Sequence, residues 1–130
     1  MSKIKTRLVL MSALLSSGIL GSSALQAHHS VAAFDRNNPV ALSGTVKEFK
    51  YTNPHTWIYL MVPDGKGGEE QWDLEGGSVN MVVRQGWTKD TLKAGMKVKL
   101  RIAPRKDGAN GGEWLSVIEV DGKPLNPSKE

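Results

Sequence analysis

The sequence predicts a mainly β protein: an OB-fold-like five-stranded barrel, β-β-β-α-β-β, with an N-terminal arm. Three observations carry this. Segments of two-residue alternation or of β-branched and aromatic composition recur from Val40 to Val120, separated by turn-forming clusters. One stretch between the third and fourth of these segments changes to the period of a helix. The first segment is long and its apolar residues fall in two phases, as expected of a strand that bends to serve both halves of a barrel. A two-layer α+β sheet is the plainer competitor.

The elements follow in order. "VALSGTVKEFKY" (Val40 to Tyr51) puts Leu42, Gly44 and Val46 on one face and Phe49 and Tyr51 on the other parity. A bulge near Lys47 and Glu48 reconciles the phases. "NPH" is a turn, because Pro54 restricts Asn53 and offers no backbone donor. Strand two is "TWIYLMV" (Thr56 to Val62), "PDGKGG" is a hairpin loop, and "EEQWDLE" (Glu69 to Glu75) is strand three, with Trp72 and Leu74 on one face. A helix is expected from Ser78, as its cap, to Gln85, with Val79, Val82 and Val83 at helical spacing; Gly86 closes it in the left-handed conformation and Trp87 folds back over it. "MKVKLRIA" (Met96 to Ala103) alternates with its lysines and arginine outward, and "EWLSVIEV" (Glu113 to Val120) is the last strand. No internal repeat is present.

Ahead of the barrel, Lys3, Lys5 and Arg7 precede an uncharged apolar run, Leu8 to Leu20, and a small, polar stretch to Ala27. That is the pattern of a secretory signal peptide, and the run is shorter than the ~20 residues of a membrane span. The expected division is therefore residues 1–27 signal peptide, 28–39 arm, 40–122 barrel and 123–130 tail, with the mature protein periplasmic or secreted and without a stable membrane anchor. Three of the 17 basic residues lie in the leader and none of the 13 acidic ones, so the mature chain carries a net charge of +1. Such a charge implies no strong field toward nucleic acid, and none is expected as a partner. The basic row Lys97, Lys99, Arg101, Arg105 and Lys106 is the ordinary solvated face of a strand and its loop. Zero cysteines exclude disulfides, thiolate metal sites and cysteine nucleophiles. No acid, serine and histidine are arranged for acid/base or nucleophilic catalysis, so an enzyme is not the expectation.

The histidines are the informative residues. There are three, and His28 and His29 stand at the end of the leader. Cleavage after Ala27 puts His28 at the N-terminus, with Leu25 third-last; cleavage after Ala24 fits the small-residue rule better and leaves "LQA" in front. In the first case the α-amine and ring of His28 chelate one ion together. His55, the only other histidine, completes a three-nitrogen set. Nitrogen-rich tetragonal sites favour Cu(II). Protons would compete for such a site as pH falls through ~6.5. His29 is a candidate fourth ligand, with Asp35 as an orienting carboxylate. Asn53, Trp57, Trp72 and Glu75 are candidates for a second shell or pocket rim. The arm from Ser30 to Pro39 spans ~33 Å extended, so reach does not limit the site. The plain alternative makes "HH" a solvated terminus and His55 a loop residue packed on Trp57.

"AHHS…FD", "L.G.V..F…NPH..I.L", "W..E", "R.GW….LK.G" and "KDG" together resemble a family of small secreted bacterial proteins of unknown function. His28, His29, Ser30, Asn53, Pro54, His55, Trp72, Glu75, Gly86 and Trp87 match its motifs. The resemblance implies cleavage directly before His28 and implies no activity. Two functions are therefore expected to compete. One is an exported binding protein holding copper or a similar divalent metal through its N-terminal histidine, for storage, delivery or sensing, with a periplasmic protein as a further partner. The other is a metal-independent OB-type module that docks a protein or small ligand on its barrel face. Redox catalysis at copper ranks behind both.

Overall fold

The computed structural model describes residues 32–125. The expectations for the leader, its cleavage, His28 and His29 lie outside the described residues. Six strands and a helix follow in the order β1 (Val40–Lys50), β2 (Trp57–Pro63), β3 (Glu69–Glu75), α1 (Val79–Arg84), β4 (Lys97–Pro104), β5 (Gly111–Val120) and β6 (Lys123–Pro124). Strands β1 to β5 close in the order β1-β2-β3-β5-β4-β1, with α1 between β3 and β4. That is the barrel topology of an OB-fold.

β1 makes closure possible. It pairs with β4 along Val40 to Thr45 and with β2 along Thr45 to Lys50, so it belongs to both halves of the barrel. The register shifts between Val46 and Glu48, which is the bulge that the phase change implied. Inward residues Leu42 and Val46 precede it, and Phe49 and Tyr51 pack against the same core after it. Gly44 lets the neighbouring strand approach: a Cβ there would lie 2.4 Å from the Met61 carbonyl oxygen. The last closure is a short parallel seam, Asp73 to Glu75 against Gly111 to Glu113. All the other ladders are antiparallel.

The core holds Ile58, Leu60, Leu74, Val98, Leu100, Ile102 and Val117, drawn from the inward parity of each strand. Trp87 and Trp114 close one end, their ring centroids 5.0 Å apart, with Phe49 edge-on to Trp87. Three details differ from the sequence expectations. Helix α1 buries Val82 alone, and Val83 is exposed, because six residues offer only one inward turn. Ser78 makes no side-chain cap; the Asn53 side-chain oxygen accepts the Val79 N–H instead, at 3.0 Å. Part of the expected tail forms β6 on the free edge of β5. Gly86 does take the left-handed conformation at φ 83°, and the Trp87 N–H bonds back to the Val82 carbonyl.

Candidate functional site

The cleft that holds His55 is assembled by three pieces of chain. The first is the junction of β2 and β3. The ladder pairs Trp57 with Glu75, so His55 and Gly77 lie just beyond its end. Thr56, fully buried, donates its N–H and its hydroxyl to the Gly77 carbonyl, and its own carbonyl accepts the Gly76 N–H. These bonds fix the backbone directly after His55. Gly76 is required by crowding: a Cβ would fall 2.2 Å from Trp114 Nε1 and 2.5 Å from Thr56 Oγ1. That indole N–H is buried without a hydrogen-bond partner among the described residues.

His55 Nδ1 lies 3.0 Å from Glu75 Oε1 and 3.1 Å from the Gly76 carbonyl oxygen. Both neighbours are acceptors, so Nδ1 carries the hydrogen and donates it. In the neutral ring the lone pair is then on Nε2, the arrangement in which a second group orients a metal-binding histidine.

The second piece is the arm. Phe34 is buried and forms an isolated bridge with Arg105, with the Asp35 N–H on the Pro104 carbonyl and the Lys106 N–H on the Ala33 carbonyl. Arg36 makes a two-pronged ion pair with Glu113 of β5, both contacts 2.6 Å. The carboxylate hydrogen-bonded to the guanidinium raises the Arg36 pKa above its ordinary value. The third piece is α1, which contributes Met81 to the lining. Phe34, Arg36, His55, Glu75, Met81 and Glu113 thus line one cleft of about 260 Å³.

The residues singled out from sequence separate here. His55 and Glu75 meet in the cleft. Asn53 caps α1 beside it. The Asp35 carboxylate is engaged in its own turn with the Asn38 side-chain amide (3.0 Å) and the Asn37 N–H (3.2 Å), and these contacts hold its pKa below the usual carboxylate value. Trp57 is half-buried and stacks on Tyr59 on the outer face of β2, with the rings 6° from parallel. Trp72 faces inward and packs on the core, because its partner in the ladder is the buried Leu60. Met81 and the Arg36–Glu113 pair were not anticipated, and nothing in the spacing of residues 36 and 113 announces their contact.

Among the described residues, no three His, Cys, Asp or Glu side chains come together to hold a metal ion. A metal bound in the cleft therefore needs a further donor, from outside those residue types or outside residues 32–125. No helix among the described residues is long and apolar enough to cross a membrane.

Comparison with known proteins adds no activity. The chain is similar in structure to the mitochondrial single-stranded DNA-binding protein Rim1 of S. cerevisiae, at 10% identity and a TM-score of 0.42, covering 64% of this chain and 93% of that one. At that distance the likeness transfers no ligand. No curated protein matches. A family model described only as a family of unknown function, DUF6152, matches residues 16–114, and by that match the chain belongs to this family.

Proposed function

We propose that this is an exported protein that binds copper, or a similar divalent metal, with the α-amine and ring of His28 and with His55. The observation that carries the reading is the meeting of Phe34 and His55 in one cleft. Residue 28 is six residues before Phe34, so its amine lies within ~20 Å of the cleft at full extension. His55 supports the reading chemically, because its Nδ1–H is taken by Glu75 and Gly76 and its Nε2 is left as the donor atom. Two nitrogens from residue 28 and one from residue 55 make the three-nitrogen set that suits Cu(II). Water or His29 fills the fourth position.

The site is expected to take up and hold the ion. Storage, delivery to a periplasmic partner and sensing are all compatible with that chemistry. Nucleic acid is not among the ligands we propose: Asp73 and Glu75 stand on the same side of the sheet as Trp57 and Tyr59, and the mature chain is nearly neutral. That outward, stacked Trp57–Tyr59 pair favours a second reading, a metal-independent module docking a flat apolar ligand.

A Cu(II) titration followed by electron paramagnetic resonance separates the two. The proteins are the secreted native chain, His28→Ala, His55→Ala, and native extended by one N-terminal glycine. All three variants are expected to lose the tight nitrogen-rich signal. An extended protein with the native spectrum and affinity rules out the N-terminal chelate. If His55→Ala is also unaffected, the docking reading replaces it.

A further inference from the structure

We infer that the outer face of β1, β2 and β3 docks an arginine side chain of a partner protein, with the guanidinium set against the Trp57–Tyr59 pair and reaching the carboxylates of Glu48 and Asp73. The inference rests on the second reading above, in that this pair is a docking surface, but gives the flat ligand a positive charge. It does not depend on the copper site.

The ladders place every group. Trp57 and Tyr59 alternate with the buried Ile58 and Leu60, so both rings stand on the outside of the barrel. They are half-buried, 6° from parallel, with centroids 6.3 Å apart. Register sets Glu48 of β1 opposite Tyr59 on one side and Asp73 of β3 opposite it on the other. Both acids are exposed. Residues so paired share a face and lie about 5 Å apart. Lys47 Nζ donates to Gln71 Oε1 at 2.6 Å, and Gln71 Nε2 donates to Asp73 Oδ1 at 2.7 Å. Gln71 pairs with Met61, so Lys47 is drawn to the Met61 end of the face while Asp73 is held in place beside Tyr59. In the next row Trp57 has Lys50 and Glu75 as neighbours, and Glu75 already meets His55. The acidic surplus is thus centred on Tyr59, with a carboxylate on each side of one ring.

That charge selects the ligand. A ring face attracts a cation, and flanking carboxylates add to the attraction. A guanidinium is planar, so it can lie on a ring and still direct its N–H groups at a carboxylate. An ammonium is a point charge and cannot use both so well. The outer face of a barrel is convex and gives a free small molecule no walls to fill. A guanidinium carried on a partner's chain needs none, because the partner's backbone positions it.

The test is a nuclear magnetic resonance titration of the secreted protein with three capped pentapeptides, Gly-Ser-X-Ser-Gly, where X is arginine, lysine or citrulline. Citrulline keeps the shape of arginine without its charge; lysine keeps the charge without the plane. The arginine peptide is expected to shift the Trp57 indole N–H and the Tyr59 amide and to leave the indoles of Trp72, Trp87 and Trp114 in place. The lysine peptide should bind about threefold more weakly and the citrulline peptide about tenfold. Glu48→Gln combined with Asp73→Asn should weaken the arginine peptide about tenfold, as should Trp57→Leu, whereas Glu119→Gln on β5 should match native. Circular dichroism checks the fold, and the carboxylate variant keeps the test decisive if Trp57→Leu unfolds. Equal binding of the lysine peptide, or an unchanged affinity in the carboxylate variant, overturns the inference. Equal binding of the citrulline peptide also overturns it, but leaves the second reading with an uncharged flat ligand. If no peptide moves Trp57 or Tyr59, the second reading loses its surface and the inference falls with it.

Discussion

Replacing Phe34 with alanine should free the arm without unfolding the barrel. The aromatic side chain is 7% exposed, and its truncation removes about 3 kcal/mol of burial, the lower end for a core phenylalanine. The two backbone hydrogen bonds that flank it contribute about 1 kcal/mol each. The Arg36–Glu113 pair adds no more than about 1 kcal/mol, because Arg36 is half in solvent at 49% exposure. Against these stands the entropy of ordering residues 33–36, at about 1 to 1.5 kcal/mol each. Docking is thus favourable by a margin smaller than the contribution of Phe34. Phe34→Ala should therefore tip the arm into its undocked state. The loss of global stability is then capped near that margin instead of reaching the full 3 kcal/mol. Amide hydrogen exchange measures both effects. Protection at Asp35 and Lys106, the two donors, is expected to fall at least tenfold, with Leu60 and Leu100 in the barrel little changed. Arg36→Ala should leave all four protected. Native protection at Asp35 and Lys106 in Phe34→Ala, or a matching loss at Leu60 and Leu100, would refute the reasoning.

Gly76→Ala should cost about 3 kcal/mol in urea unfolding, because its Cβ would fall 2.2 Å from the Trp114 indole nitrogen, and overpacking forces a buried ring to move; a loss below about 1 kcal/mol would mean that the ring has room. Asn53→Ala should lower stability by about 1 kcal/mol through the lost bond to the Val79 N–H, while Ser78→Ala costs much less, since Ser78 makes no cap bond; the reverse order in thermal unfolding would return the cap to Ser78. In the β4–β5 loop, the Arg105 guanidinium, together with the Ala109 N–H, holds the Asp107 carboxyl at about 2. The folded value lies below the ordinary 3.8, so this contribution is fully present above that pH and is lost as pH falls through about 2. The Ala109 amide should therefore titrate near pH 2 by nuclear magnetic resonance, and a midpoint near 4 would contradict the pairing.

The barrel was legible where a local rule met a buried face. The two-residue alternation of Met96 to Ala103 placed Val98, Leu100 and Ile102 in the core. The phase conflict between Val46 and Phe49 placed the bulge. Features made by distant residues were not legible. Asn53 takes the capping role expected of Ser78 by accepting the Val79 N–H from 26 positions away. Leu92 sits in a stretch without periodicity, so nothing local marked it as core. For the site, scarcity drew attention to His55, and the β2–β3 register supplied Glu75 as its neighbour. Arg36, Glu113 and Met81 join it only through tertiary packing, and no spacing rule reaches them. Trp57 and Trp72 lie on opposite faces because position 57 is outward in β2 and position 72 inward in β3.

The parallel seam between β3 and β5 has a consequence for cooperativity. It is closed by three residue pairs, against seven between β2 and β3. Openings of part of a barrel follow its least reinforced closure, so this is where the molecule should part first short of global unfolding. The cleft lies across the end of that seam, with His55 and Glu75 on one lip and Glu113 with its Arg36 on the other. A ligand that engages both lips ties the two edges of the barrel together. Its binding free energy is then added to the cost of opening, by about 2.7 kcal/mol at a hundredfold excess over its dissociation constant. Occupancy of the cleft would in that way be reported through the barrel as slower exchange of the seam amides of Asp73 and Glu113, without any change of shape.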